Sequence, residues 1–205
     1  MYIRLYNSSI KENQLNKIVS LLQEDGVIII PTDTLYAFVC DINSHKAAKR
    51  LASIKGKTLE KSNFSILCSD ISQASAYVKP MSKDQFSFIK KSDAEGFTFV
   101  LNSSTLTPKI FLSKKKTIGI RLPKHPVCVE ILERLQRPLL VSSVEHLDCM
   151  EEEYYCNAEL IYEKYSSLVD AVIECEGCAN TPSTVVNMTD NNDFIIERQG
   201  LGIVM

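Results

Sequence analysis

The chain has 205 residues, of which 45% are hydrophobic and 23% charged, with a formal net charge of −2. This length allows one domain with a full core or two small ones, and the composition is ordinary for a globular protein. The charge excludes a global basic field that would draw the protein to nucleic acid, so RNA binding would need a local patch. No apolar run reaches membrane-span length and no signal pattern opens the chain, so the sequence predicts a cytoplasmic protein.

Helix and strand signals alternate along the whole chain. Ser9 opens a capping-box spacing ahead of an amphipathic helix that Gly26 can end, and Ser44, Ser82 and Pro126 mark three further helix starts. Apolar and β-branched runs predict strands over residues 27–30, 64–68, 97–101, 117–122, 139–142, 169–174, 184–188 and 194–198. Without an internal repeat or a linker tract, the pattern predicts one α/β domain over residues 1–205 with a mixed sheet.

The first of these strands is followed by hydroxyls and then by lysines. Thr32 and Thr34 come directly after the apolar run, at the edge where open α/β sheets bind ligands. Lys55, Lys57 and Lys61 follow after the next predicted helix. Hydroxyls, backbone amides and ammonium groups together suit a small anionic substrate, with phosphate as the leading candidate. The structural alternative is a solvated lysine turn beside a strand end rich in β-branched residues.

The chain has seven cysteines, an odd number that cannot all pair in disulfides, and most of them lie in apolar stretches. This pattern indicates reduced, buried thiols. Cys175 and Cys178 form a C-x-x-C spacing, but a zinc site would need a second such pair or paired histidines. The spacing also follows a strand-like run, whereas a redox motif normally opens a helix. The three histidines are scattered, so we assign no metal site and no catalytic histidine.

The chain resembles the YrdC/YciO superfamily, which includes the threonylcarbamoyl-AMP synthases, because six short motifs occur in the same order as in that family. The resemblance covers nearly the whole chain, and the run at residues 116–121 is more similar to the YciO branch. The motifs are P-T-D-T-L-Y at 31–36, K-G-K at 55–57, T-F-V-L at 98–101, T-I-G-I-R-L-P at 117–123, P-S-T-V-V at 182–186 and R-Q-G at 198–200.

The resemblance implies a twisted mixed sheet, flanked by helices, around a positively charged cavity. It implies an enzyme that joins bicarbonate to L-threonine and transfers the carbamate to AMP from ATP, with release of pyrophosphate. Mg²⁺ is expected to accompany the ATP. The product of such synthases serves threonylcarbamoylation of an adenosine in tRNA.

The resemblance also implies roles for individual residues. Lys55, Lys57 and Arg121 match catalytic positions, and Arg121 matches the arginine that binds the threonine carboxylate. A guanidinium fits a carboxylate through two parallel hydrogen bonds, which lysine cannot reproduce. The implied nucleotide contacts are Asn63, Thr117, Ser143, Ser183 and Arg198. The implied substrate contacts are Thr32, Thr34, Tyr36, Arg121 and Thr184.

Four positions depart from the family pattern, namely Ala37 for a usual glycine, Lys57 for arginine, Cys68 for histidine and Glu145 for asparagine. The Glu145 carboxylate would repel ATP phosphates unless it binds magnesium or turns away. These departures leave open a diverged YciO-type protein that binds double-stranded RNA or tRNA and serves translation without full synthase activity. Its RNA contacts would be Lys114, Lys115 and Lys116 together with the lysines from Lys55 to Lys61. A small-molecule hydrolase on the same fold is a third alternative.

Overall fold

A computed structural model describes residues 1–6, 10–92, 95–108, 116–144, 156–190 and 193–204. Ten strands lie within these residues: Tyr2–Arg4 (β1), Ile28–Ile30 (β2), Ala37–Asp41 (β3), Ser65–Leu67 (β4), Phe97–Asn102 (β5), Thr117–Arg121 (β6), Leu139–Ser143 (β7), Ala171–Glu174 (β8), Thr184–Asn187 (β9) and Ile195–Arg198 (β10). The α-helices are Glu12–Gln23 (α1), His45–Ile54 (α2), Ile71–Tyr77 (α3), Lys83–Lys91 (α4), Pro126–Leu135 (α5) and Ala158–Tyr165 (α6).

All ten described strands join one mixed sheet in the order β1-β8-β2-β3-β7-β4-β6-β5-β9-β10. The pairs β1/β8, β8/β2, β4/β6 and β5/β9 are parallel, and the other neighbours are antiparallel. The predicted single α/β domain with a mixed sheet is confirmed. Among the described residues, no helix is both long and apolar enough to cross a bilayer.

Each face of the sheet buries its own hydrophobic cluster, because side chains alternate between the faces along a strand. On β2, Ile29 joins one cluster while Ile28 and Ile30 join the other. α1 and α5 pack on the second face, where Leu15 and Ile131 belong to the same cluster as Ile28. The sheet is therefore the central layer of the domain.

The helix starts predicted at Ser44, Ser82 and Pro126 are confirmed. Ser44 Oγ accepts a hydrogen bond from Ala47 N at 3.0 Å. Ser82 Oγ accepts from Gln85 N at 3.1 Å while Gln85 Oε1 accepts from Ser82 N at 2.8 Å, which is a complete capping box. Pro126 is the first residue of α5, where its missing N–H costs no helical hydrogen bond.

The ends of α1 differ from the prediction. The helix begins directly after Lys11, which has extended backbone and provides no side-chain cap, while Ser9 lies outside the described residues. At the other end Asp25 has the left-handed φ of 64°, and Gly26 N donates to Leu21 O at 2.8 Å. A Cβ on Gly26 would lie 2.3 Å from Leu21 O, so this close approach requires glycine.

The strand β10 lies at the edge of the sheet. It pairs with β9 and with no other described strand, and its register shifts between Ile196 and Arg198. All four of its residues are exposed, including Ile195 and Ile196. This edge strand thus has far less packing than the nine others.

The capping box gives a first test of the local structure. We expect Ser82→Ala to lower the free energy of unfolding by about 1 kcal/mol, because Gln85 N loses its acceptor. Urea denaturation measures the change. Ser75→Ala is the matched control, since Ser75 is exposed and bonds only back to Ile71 O within α3. Equal effects of the two substitutions would contradict the capping argument.

Candidate active site

A cavity of about 750 Å³ lies above the strands from β7 to β9. We call it the sheet cavity. Its polar lining comprises Asn63, Ser65, Thr98, Thr117, Arg121, Ser142, Ser143, Ser183, Asn187, Thr189, Glu197 and Arg198. The structure thus brings together six residues that the sequence predicted for one site, namely Asn63, Thr117, Arg121, Ser143, Ser183 and Arg198.

Strand alternation explains why the floor of the sheet cavity is polar. On β6, Ile118 and Ile120 point into one hydrophobic cluster, while Thr117, Gly119 and Arg121 line the cavity. A Cβ on Gly119 would lie 2.3 Å from Ser65 Oγ and 3.2 Å from Thr98 Cγ2. The absence of a side chain at Gly119 therefore leaves space in the cavity between the neighbouring strands β4 and β5.

Arg121 is the most buried charged group of the cavity, with 4% of its surface exposed. Its Nη2 donates to Thr34 Oγ1 at 2.7 Å, to Asp33 Oδ1 at 3.1 Å and to Thr32 Oγ1 at 3.4 Å. Its Nε is buried and has no hydrogen-bond partner among the described residues. Among the described residues, the guanidinium is thus fixed through Nη2, and its other nitrogens are not used in these hydrogen bonds.

Asp33 was missed by the sequence analysis, although it lies between two residues that were predicted. Its Oδ2 accepts from Gly96 N at 2.7 Å, while Oδ1 accepts from Arg121. The two side chains of this ion pair are 5% and 3% exposed. Because burial of an unpaired charge is costly, the Asp33 carboxylate stabilises the buried Arg121 as its counter-ion.

A second part of the cavity lining is formed by Ser183 and its hydrogen-bond partners. Ser183 Oγ lies 2.7 Å from Thr98 Oγ1, and Arg198 donates through Nη2 to Ser183 Oγ at 3.1 Å and through Nε to Ser183 O at 3.0 Å. Thr184, which was predicted to contact substrate, is fully buried outside the cavity lining. Its Oγ1 donates to Gly202 O at 2.7 Å and accepts from Gly200 N at 2.8 Å, so it anchors the following segment.

The predicted lysines do not all lie at the cavity. Lys55 Nζ donates to the backbone oxygen of Ser143, a lining residue, at 2.9 Å and lies 5.9 Å from the centroid of the Phe38 ring. Lys57 and Lys61 are exposed and are not part of the lining. The structure therefore brings only the first lysine next to the predicted site.

Tyr36 lies in the core and borders a different cavity. It is 1% exposed, and its OH is 3.4 Å from Cys175 O. Burial raises the pKa of this phenol, so it stays protonated over the ordinary pH range. Strand β3 begins directly after Tyr36, and side chains alternate between the two faces of the sheet along a strand. Tyr36 therefore lies on the face of the sheet opposite to Arg121.

Glu197 is a lining residue that the sequence analysis missed. Its Oε1 accepts from Asn187 Nδ2 at 2.7 Å across the β9/β10 pair. The described lining thus carries two positive side chains, Arg121 and Arg198, and one negative one. Glu145, Lys114 and Lys115 lie outside the described residues. The predicted excess of positive charge therefore stays a prediction.

Two other departures from the family pattern lie in the core. Ala37 is buried and pairs with Ser143 across the β3/β7 ladder. Cys68 is fully buried, and its burial raises the pKa of the thiol. Among the described residues, no three His, Cys, Asp or Glu side chains are grouped to hold a metal ion, so Mg²⁺ also stays a prediction.

Fold and cavity together define an α/β protein whose mixed sheet carries a polar cavity with a fixed, buried arginine. The Sua5/YciO/YrdC family model, described as "Telomere recombination", matches residues 20–200. The chain belongs to this family, which confirms the resemblance found in the sequence motifs.

Related sequences include both branches of the family. An uncharacterised protein of Haemophilus influenzae is 32% identical over 92% of this chain and 89% of its own length. The uncharacterised protein YciO of Escherichia coli K12 is 30% identical over 95% of this chain and 92% of its own. A threonylcarbamoyl-AMP synthase of Coxiella burnetii is 28% identical over 63% of this chain and 69% of its own.

Solved structures show the same fold. The crystal structure of E. coli YciO matches with a TM-score of 0.89 and 28% identity, covering 99% of this chain and 97% of that one. P. abyssi Sua5, solved in complex with L-threonine, matches with a TM-score of 0.86 and 19% identity. That match covers 98% of this chain and 57% of the Sua5 chain, and at this identity it shows the fold alone.

Proposed function

We propose that this chain binds ATP and L-threonine in the sheet cavity and uses bicarbonate to form threonylcarbamoyl-AMP for tRNA modification. The observation that carries the proposal is Arg121, which lines the cavity and is hydrogen-bonded within the described residues through Nη2 only, while hydroxyls from several strands surround the cavity. Family membership, a synthase among the related sequences and a threonine-bound structure of the same fold support it.

The chemistry assigns a role to each wall of the cavity. The threonine amine attacks the carbon of bicarbonate, a C–O bond breaks, and the leaving hydroxide takes up the amine proton as water, which gives the carbamate. A carbamate oxygen then attacks the α-phosphorus of ATP, and pyrophosphate leaves. Arg121 binds the threonine carboxylate through the guanidinium nitrogens that Thr32 and Thr34 do not hold, and this pair of threonines fixes the guanidinium through Nη2. Because both reactants are anions, fixed positive charge lowers the barrier to their approach.

Arg198 and the hydroxyl groups form the nucleotide side of the proposed site. The Arg198 guanidinium lies against Ser183, which in turn contacts Thr98 across the parallel β5/β9 pair. An arginine and hydroxyl donors are suited to phosphate oxygens because each provides directed hydrogen bonds. Mg²⁺ would enter with ATP as part of the substrate.

The decisive experiment is adenylate formation. Purified protein is mixed with ATP, Mg²⁺, bicarbonate and L-threonine, and pyrophosphate and threonylcarbamoyl-AMP are followed. We expect product from the unaltered chain and from Arg134→Lys, whose side chain pairs with Glu130 on the exposed face of α5. Arg121→Ala should give none. Absence of product from folded chain that binds ATP would contradict the proposal.

Gly119 provides a steric test of the same cavity. We expect Gly119→Ala to lower ATP affinity by about tenfold, because the added Cβ forces Ser65 Oγ to turn into the cavity. Isothermal titration calorimetry measures the affinity. The double variant Gly119→Ala/Ser65→Ala removes the clashing oxygen and should recover part of the loss. No recovery would show that the cause is not this contact.

RNA binding is the second candidate, and one observation favours it: Lys57 and Lys61 are exposed and do not line the cavity. An RNA-binding chain should show affinity for structured RNA that falls steeply with salt and weakens in Lys57→Gln/Lys61→Gln. Salt-insensitive binding, or binding unchanged in that variant, would contradict this candidate.

A further inference from the structure

The proposed chemistry does not use the thiols beside the second cavity. This cavity has a volume of about 760 Å³ and lies where the parallel strands β1 and β8 end, next to Tyr36. Cys156 and Cys178 line it, and both side chains are partly exposed. They therefore differ from Cys40, Cys68 and Cys128, which are buried in the core.

Cys156 and Cys178 lie beside the same backbone oxygen although they are distant in sequence. Cys156 Sγ donates to Ala179 O at 2.9 Å, and Cys178 Sγ lies 3.6 Å from that oxygen. The structure thus gives Cys178 a thiol neighbour outside its own C-x-x-C spacing.

We propose that Cys156 and Cys178 form a reversible disulfide when the protein meets a peroxide. The Cys156 thiolate attacks one oxygen of hydrogen peroxide, the O–O bond breaks, and the leaving hydroxide takes up a proton as water. Cys178 sulfur then attacks the resulting sulfenic sulfur, the S–O bond breaks, and a second water leaves. Two thiols lose two electrons and two protons, and the peroxide gains them.

The surroundings make Cys156 the attacking thiol. Burial raises the pKa of both thiols, and it raises that of Cys178 further than that of Cys156. The charged groups that line the same cavity are Arg4, Glu159, Glu174 and Glu176, and Arg4 is paired with Glu159 and Glu174. Oxidation should therefore be faster at pH 9 than at pH 7, because more Cys156 is ionised.

The disulfide would act on the sheet cavity through one residue. Cys178 Sγ donates to Thr34 O at 3.1 Å, and Thr34 Oγ1 is the nearest of the three acceptors on Arg121 Nη2, at 2.7 Å. A disulfide has no S–H, so the Thr34 backbone oxygen loses this donor on oxidation. Thr34 therefore connects the cysteine pair at the second cavity to Arg121 at the sheet cavity.

Peptide mapping tests the proposal. The Cys149→Ser chain, chosen because Cys149 lies outside the described residues, is treated with hydrogen peroxide at pH 7 and pH 9, alkylated, digested without reductant and analysed by mass spectrometry. The unaltered chain is mapped in parallel to control for that substitution. We expect a peptide pair linked through Cys156 and Cys178, formed faster at pH 9 and separated by dithiothreitol.

Single substitutions distinguish this pair from the C-x-x-C pair. Cys156→Ser should abolish the linked peptide, whereas Cys175→Ser should retain it. A dominant link between Cys175 and Cys178 would overturn the proposal. So would oxidation of Cys156 to sulfinic acid without any linked peptide, or full retention of both thiols at pH 9.

Discussion

Replacing Arg121 by lysine is expected to weaken L-threonine binding by about 100-fold, which corresponds to about 3 kcal/mol. Lysine keeps the charge but cannot both reach the acceptors that Nη2 holds on Thr32, Asp33 and Thr34 and present a second donor to the cavity. The lysine ammonium would pair with the buried Asp33, so the fold retains an ion pair there. No hydrogen-bond donor then remains at this position for the carboxylate of L-threonine.

Isothermal titration calorimetry with L-threonine measures this loss. Arg134→Lys is the matched control, because its guanidinium lies in an exposed pair with Glu130 on α5 and should leave threonine affinity unchanged. A dissociation constant for Arg121→Lys within threefold of the unaltered chain would show that Arg121 does not contact the ligand.

Asp33→Asn is expected to have the largest effect on stability, a loss of about 3–5 kcal/mol in the free energy of unfolding. The substitution leaves the Arg121 charge buried without its counter-ion. Asparagine also has a single acceptor oxygen, whereas the carboxylate accepts from both Gly96 N and Arg121 Nη2.

Urea denaturation measures this loss, and two variants identify its cause. Glu130→Gln breaks an exposed pair on α5 and should change the free energy of unfolding by less than about 1 kcal/mol. Asp33→Asn/Arg121→Met removes both charges and should recover part of the stability. If the double variant were less stable than Asp33→Asn alone, the uncompensated charge would not be the cause.

Local patterns were sufficient to predict most of the fold. β5 and β6 alternate between core and cavity side chains along their length, and this periodicity is visible in the sequence. β3 was not predicted. All five of its residues are buried, so its sequence shows no polar alternation, and its partners β2 and β7 are set by tertiary pairing. β1, α3 and α6 were missed as well, since each is short and takes its stability from packing.

The site was predicted mainly through the family motifs, and those motifs do not show where a side chain points. Thr184 and Arg198 both lie in motif segments, but only Arg198 reaches the cavity, because Thr184 faces the core side of β9. Local sequence gives no sign that Asp33 pairs with Arg121, because the two residues are 88 positions apart and meet only in the folded chain. Glu197 enters the lining through the irregular register of β10, which no spacing rule indicates.

The edge position of β10 makes this strand the part of the sheet that local unfolding should reach first. The strand that carries Glu197 and Arg198 is joined to the sheet along one side only and buries none of its residues. Local unfolding requires the least free energy where few contacts are lost, so the amide hydrogens of β10 should exchange with solvent first among those of the strands. This part of the cavity lining can thus detach from the sheet and pair again while Arg121, on the interior strand β6, stays in place.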